Sequence, residues 1–142
     1  MRVRSITEAS LYLRAMRPLH FDLSSLVRFD LDDGALERLA WKDFGNGTRI
    51  ARLVRDGDAG LVVYRLGADA GAHAFEPHAH PGGEAYLVLR GAVVDASGTY
   101  PAGSLVWMEP GSMHAPHAAE GQETIIVVLW PAGVRKVPTT AP

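Results

Sequence analysis

The chain contains no cysteine among its 142 residues. Disulfide bonds, thiolate nucleophiles and cysteine-ligated zinc are therefore excluded from its chemistry. Proteins of reducing compartments typically lack disulfides, and the absence fits a cytoplasmic protein, which is the location we expect.

Long apolar runs and runs of like charge are also missing. No stretch reaches the ~20 apolar residues that a membrane helix needs, and Arg2, Arg4, Arg14 and Arg17 interrupt the region where a signal peptide would lie. The formal net charge is -2, with acidic and basic residues interspersed, which is unlike a nucleic-acid-binding surface. We therefore expect one soluble domain with neither a membrane nor a nucleic acid as partner.

The β-forming part of the chain begins near Trp41. Apolar runs rich in β-formers cover residues 48–54, 61–66, 85–89, 105–108 and 124–130. Glycine and proline, 15 and 9 in number, mark nearly every join between these runs. Many short strands with regular turn signals predict an all-β sandwich or barrel.

The first 40 residues follow no clear β pattern. Ser5–Glu8 has the form of a capping box and predicts a short helix that ends before Pro18, and Leu31–Gly34 is typical of a turn. We divide the chain into an N-terminal extension at 1–40, a β-barrel at 41–131 and a tail at 132–142.

Three histidines and one glutamate have the spacing of a metal site. His78 and His80 point to the same face of an extended segment, Glu84 follows four residues later, and His114 comes after the reversal at Pro110–Gly111. Isolated pairs of this kind are more often ordinary surface or core histidines. Burying three imidazoles and a carboxylate without a cation, however, costs several kcal/mol. The set therefore predicts a site for one divalent transition metal ion.

Two further residues are candidates for orienting a ligand. Tyr86 shares its strand face with Glu84, and His117 lies three positions after His114. Ordinary sheet packing is the alternative for Tyr86 and a loop position is the alternative for His117, so the catalytic residues stay open.

Two segments resemble the two sequence motifs of the cupin superfamily. The first runs from Gly71 through His78, His80 and Glu84 to Gly91, and the second runs from Gly103 to His114. The first spacer is one residue longer than the common form, and Glu109 stands where proline is usual. Within the superfamily, His80–Glu84, Val88–Gly91, Gly98–Ser104 and Pro110–Pro116 resemble the ChrR-type cupin domain. The resemblance implies a double-stranded β-helix, or jelly-roll barrel, with the metal held by His78, His80, Glu84 and His114.

The resemblance implies two classes of function. Related small dioxygenases cleave diketones or hydroxyacetophenones, which implies a metal-dependent enzyme acting on a small carbonyl or aromatic compound. The alternative is a ChrR-like, metal-bearing sensor module without catalysis. Zinc and iron are the expected metals, with manganese and nickel as further options.

The resemblance also sets expectations about partners. It implies a homodimer and a small-molecule ligand. In ChrR-type proteins, sigma-factor binding belongs to a separate helical zinc domain with cysteine ligands, and no cysteine is present here. We therefore expect no sigma factor as partner.

Overall fold

The computed structural model describes residues 18–26, 31–70 and 75–137. Within them the chain forms thirteen strands and one short helix. The helix is α1 (Asp33–Glu37), and the strands are β1 (Leu19–Asp22), β2 (Trp41–Gly45), β3 (Thr48–Asp56), β4 (Ala59–Leu66), β5 (His78–His80), β6 (Glu84–Arg90), β7 (Ala92–Asp95), β8 (Gly98–Pro101), β9 (Ser104–Met108), β10 (Ser112–His114), β11 (His117–Ala118), β12 (Thr124–Trp130) and β13 (Arg135–Lys136). The helix predicted after Ser5, and Gly71 of the first motif, lie outside the described residues.

The strands form one large antiparallel sheet and two small ones. The large sheet has the order β1-β9-β6-β12-β4-β3-β2, and the small sheets are β10-β5-β13 and β11-β7-β8. All five predicted apolar runs lie in strands of the large sheet. The prediction of an all-β fold is confirmed.

Alternation along the central strands explains how the barrel is filled. On β4 and β12, Tyr64 and Val128 belong to the core between the sheets, which also includes Val93 of a small sheet. Val63 and Ile125 point the other way, into a second cluster that contains Leu36 of α1. Each fully buried aliphatic side chain contributes about 1.5–3 kcal/mol, so both faces of the central strands stabilise the fold.

Residues 19–40 contain two elements that local pattern did not predict. Leu31–Gly34, predicted as a turn, instead leads into α1, because the Asp32 side chain accepts a hydrogen bond from the Ala35 backbone N–H at 3.2 Å and caps the helix. Leu19–Asp22 forms an edge strand because β9 offers it a pairing partner. The pairing of β1 with β9 is a contact that a local window of sequence does not contain. The cap of α1 is local, but its buried Leu36 packs against Val63 and Ile125 of the large sheet.

Candidate metal centre

Two short antiparallel strands place the three histidines on one face. His78 lies opposite His114, and His80 lies opposite Ser112, in the pairing of β5 with β10. Residues two apart on a strand share a face, and directly paired residues do so as well. The three imidazole ring centroids accordingly lie 4.8–4.9 Å from one another.

The carboxylate comes from the first residue of β6. The Glu84 Oε2 atom lies 3.1 Å from His80 Nε2, and its Oε1 atom lies 3.4 Å from His114 Nε2. The loop that joins β5 to β6 turns at Gly83, whose φ of 84° suits glycine. One ligand atom from each of the four predicted residues falls within 4.8 Å of the others, so this group could hold a metal ion.

Each imidazole is held by its Nδ1 atom, which leaves Nε2 for the centre of the cluster. The Nδ1 partners are the Glu76 carbonyl oxygen for His78 at 2.8 Å, Ser112 Oγ for His80 at 3.1 Å and Asp95 Oδ2 for His114 at 3.1 Å. Such partners orient metal-ligating histidines in proteins.

Two of the inward nitrogens are buried without a hydrogen bond. His80 Nε2 and His114 Nε2 have no partner of acceptable hydrogen-bond geometry in the described part of the protein, although both lie beside Glu84. Leaving a buried polar atom unpaired costs about 1–3 kcal/mol. A cation between the nitrogens and the carboxylate would accept their lone pairs, so the donor set fits a divalent transition metal.

The electrostatics of the cluster favour a cation. Burial would raise the pKa of Glu84, but the neighbouring His114 and His80 imidazoles hold that pKa below its ordinary value. Burial lowers the pKa of His78 to about 4. For His114 burial acts in the same direction, but the Asp95 and Glu84 carboxylates raise its pKa to about 9. Metal binding near neutral pH must therefore displace a proton from His114.

Glu84 has a further partner from the far end of β12. Trp130 Nε1 donates a hydrogen bond of 2.8 Å to Glu84 Oε2, and both groups are buried. Sequence reasoning missed this role of Trp130, and it also missed Asp95. Neither residue belongs to a motif. Trp130 reaches the site because β12 pairs with β6, and Asp95 reaches it from β7, which lies in a different sheet from His114. Ser112 alone carried a usable signal, since it lies two residues before His114.

A cavity of about 500 Å³ leads to the cluster. His78, Glu84 and His114 line it, whereas His80 is completely buried behind them. The wall is largely apolar, and its residues include Phe44, Tyr64, Phe75, Ile126, Val128 and Trp130. A small molecule with an apolar body could therefore reach the inward face of three of the four side chains.

The two candidates for orienting a ligand are placed differently. Tyr86 lines the cavity, is 2% exposed, and has a buried hydroxyl group without a hydrogen-bond partner in the described residues. Burial raises the pKa of Tyr86, so the hydroxyl stays protonated. His117 lies on β11 opposite Val94, and its Nδ1 atom is 2.9 Å from the Ala118 carbonyl oxygen. It is not among the described residues that line the cavity.

Comparison with known proteins gives a family match over most of the barrel. Residues 34–133 match the family described as the ChrR cupin-like domain. The anti-sigma-E factor ChrR of Cereibacter sphaeroides is 33% identical over 100 residues, which cover 70% of this chain and 46% of that protein. The chain thus spans about half the length of this curated relative. The predicted resemblance to the ChrR-type cupin is confirmed.

Solved structures agree on the fold. ChrR in its complex with SigE from Rhodobacter sphaeroides has a TM-score of 0.60 and 25% identity, and the match covers 92% of this chain and 70% of that one. A candidate acetylacetone dioxygenase from Methylibium petroleiphilum has a TM-score of 0.62 at 13% identity, covering 82% of this chain and 87% of that one. At that identity the second likeness shows the fold alone.

In the described residues, no helix has the length and apolar character needed to cross a membrane.

The expectation about sigma factors is wrong. We expected no sigma factor as partner because the cysteine ligands of the helical zinc domain are absent. The comparisons instead place this chain beside an anti-sigma factor and beside its complex with SigE. The absence of cysteine excludes a cysteine-ligated zinc site, but it does not determine which proteins the cupin segment contacts. It was therefore not sufficient grounds to exclude a sigma factor.

Proposed function

Because this chain belongs to the ChrR cupin-like domain family, we propose that it binds one divalent transition metal ion through His78, His80, Glu84 and His114. The proposal rests on the buried Nε2 atoms of His80 and His114, which have no hydrogen-bond partner among the residues that the structure describes. Zinc or iron is the proposed occupant, and manganese and nickel accept the same ligand types.

The proposed activity is that of a metal-dependent, dioxygenase-like enzyme acting on a small carbonyl or aromatic compound. Bound iron would supply Lewis acidity and the means to react with dioxygen. The protein's own contribution is a cavity that leads to His78, Glu84 and His114 and whose largely apolar walls favour an apolar ligand body. The buried Tyr86 hydroxyl, which has no hydrogen-bond partner within residues 18–26, 31–70 and 75–137, would donate a hydrogen bond to a ligand oxygen atom.

Ligand access and turnover test this activity together. Metal-depleted protein is reloaded with iron, manganese, nickel or zinc, and oxygen uptake is measured with acetylacetone and with hydroxyacetophenones. We expect turnover with one particular metal and a decrease of about 2- to 10-fold in Tyr86→Phe, since a buried hydrogen bond contributes about 0.5–1.5 kcal/mol. A further sample is loaded with cobalt, whose absorption spectrum reports ligand binding at the metal. Absence of turnover with every metal, together with no change in the cobalt spectrum on adding either compound, would contradict the proposal.

A second candidate is a ChrR-like sensor module that associates with a sigma factor. The observation in its favour is the similarity to a protein that is an anti-sigma factor and that has been solved in complex with SigE. Purified metal-loaded and metal-free protein would be tested for binding to SigE by isothermal titration calorimetry. Binding that depends on the metal, without turnover of any compound, would favour this candidate. No binding in either form would remove it.

A further inference from the structure

The three histidines differ in what holds their outward nitrogen. His78 meets a backbone carbonyl oxygen and His80 meets a serine hydroxyl. His114 alone meets a carboxylate, that of Asp95, whose side chain is only 2% exposed. A carboxylate, like a backbone carbonyl oxygen, can only accept a hydrogen bond from the imidazole, whereas a hydroxyl can both donate and accept.

The Asp95 carboxylate is fixed from its other side. Its Oδ1 atom accepts a hydrogen bond from the Ser97 backbone N–H at 2.8 Å and another from the Ser97 hydroxyl. Ser97 Oγ in turn lies 2.9 Å from the Tyr100 hydroxyl. Because Ser97 occupies Oδ1, the carboxylate cannot turn, and Oδ2 is left to His114.

We propose that Asp95 is a positioning residue that sets the tautomer of His114. The Asp95 carboxylate lies 3.1 Å from His114 Nδ1, whereas Glu84 Oε1, also an obligate acceptor, lies 3.4 Å from Nε2 without acceptable hydrogen-bond geometry. A neutral His114 therefore carries its single proton on Nδ1, which leaves the lone pair of Nε2 pointing at the metal position beside Glu84. The inference rests on the proposed metal site, although the tautomer itself can be measured in metal-free protein.

Replacing Asp95 by asparagine reverses the polarity of this contact. The Ser97 backbone N–H still requires an acceptor at the Oδ1 position, so the amide oxygen stays there and the NH₂ group occupies the Oδ2 position. An NH₂ group donates to His114 Nδ1 and thereby moves the ring proton to Nε2. The proton then lies where the metal would bind, in a side chain of nearly unchanged size.

The tautomer is read from long-range ¹H–¹⁵N correlation spectra of the metal-free protein. The spectra are recorded in a pH series that is extended until the ring signals of His114 no longer change, so that the neutral imidazole is observed. We expect an Nδ1–H tautomer in the wild type and an Nε2–H tautomer in Asp95→Asn. An Nε2–H tautomer in the wild type overturns the inference without reference to any variant or to metal.

Metal affinity is the second readout, measured for zinc by competition with a chromogenic chelator. We expect Asp95→Asn to weaken zinc binding by about 10–100-fold, the usual effect of losing such a partner. Wild-type affinity in a variant whose tautomer has changed would overturn the inference. A wild-type protein that shows the Nδ1–H tautomer but binds no metal would instead count against the proposed function.

Two further variants separate positioning from a role in the β7–β8 turn. Ser97→Ala keeps the Asp95 carboxylate and should keep the Nδ1–H tautomer; if it reproduces Asp95→Asn, the effect belongs to the turn and the inference fails. Asp43→Asn is the matched control, since Asp43 Oδ1 likewise accepts from a backbone N–H two residues later, that of Gly45 at 3.0 Å, at an exposed position. It should leave both the tautomer and the zinc affinity unchanged.

Discussion

Glu84 is the residue on which the candidate site converges. Its carboxylate lies against His80 and His114 and accepts a hydrogen bond from Trp130. Hydrogen bonds to ionised groups contribute about 1.5–3 kcal/mol, and more is lost when a buried charge is left without a partner. The orientation of this one carboxylate therefore depends on groups from β5, β10 and β12 together.

Trp130→Phe tests the hydrogen bond to the carboxylate. The substitution keeps a smaller aromatic ring and removes the Nε1 donor to Glu84 Oε2, so we expect metal affinity to fall by about 10-fold or more. The measurement is a zinc competition titration.

Trp41→Phe is the matched control for that variant. Trp41 Nε1 also donates to a protein acceptor, the Leu36 carbonyl oxygen at 2.7 Å, but on the outer side of the large sheet. This variant should lose about 0.5–1.5 kcal/mol of stability and keep its metal affinity. Equal affinities for the two variants would show that the Trp130 contact does not act on the site.

At the scale of elements, the loop between β5 and β6 sets the distance between His80 and Glu84. Gly83 in this loop has a φ of 84°, and a Cβ atom there would lie 2.6 Å from Trp107 Cη2 and 2.7 Å from the Met108 carbonyl oxygen. Neither an unfavourable φ nor a backbone oxygen this close can be relieved by a rotamer change.

Gly83→Ala should therefore destabilise the fold and loosen the site. We expect a loss of about 1–2 kcal/mol from the positive φ and a further loss of about 1–3 kcal/mol from overlap, with weaker metal binding. Urea unfolding measures the loss of stability, and a zinc competition titration measures the weaker metal binding. Gly45→Ala is the control, because Gly45 has a φ of 90° and open space around it. Equal losses in the two variants would contradict the importance of the close packing at Gly83.

How far the sequence predicts these elements depends on where their stability arises. The runs that became β3, β4, β6, β9 and β12 carry their own β-forming side chains and were predicted within two residues at each end. Short strands such as β5 and β10 exist because a neighbour pairs with them. The four candidate ligands could be predicted because motif spacing brings them out, whereas Trp130 lies 46 residues from the carboxylate that it contacts.

For the whole molecule, the two histidines with displaced pKa values predict how stability depends on pH without metal. The ordinary pKa is 6.5, and that of His78 is about 4 in the fold, so the unfolded chain binds more protons between these values and stability rises with pH. The pKa of His114 is about 9, so between 6.5 and 9 the folded chain binds more protons and stability falls.

The metal-free protein should therefore have its highest free energy of unfolding near pH 6.5. We expect each arm to amount to on the order of 1–3 kcal/mol, measured by urea unfolding in the presence of a chelator. In Asp95→Asn the decline above pH 6.5 should shrink, because one of the two carboxylates that raise the pKa of His114 is gone. A stability that keeps rising to pH 9 would contradict the charge arrangement described for His114.

Elemental analysis of protein purified without a histidine tag tests the whole arrangement most directly. The four converging side chains predict about one equivalent of a divalent transition metal per chain, and they predict that His78→Ala and His114→Ala both lose most of it. A wild-type protein that takes up no metal from zinc-, iron-, manganese- or nickel-supplemented buffer, or variants that keep a full equivalent, would contradict the assignment of these side chains as ligands.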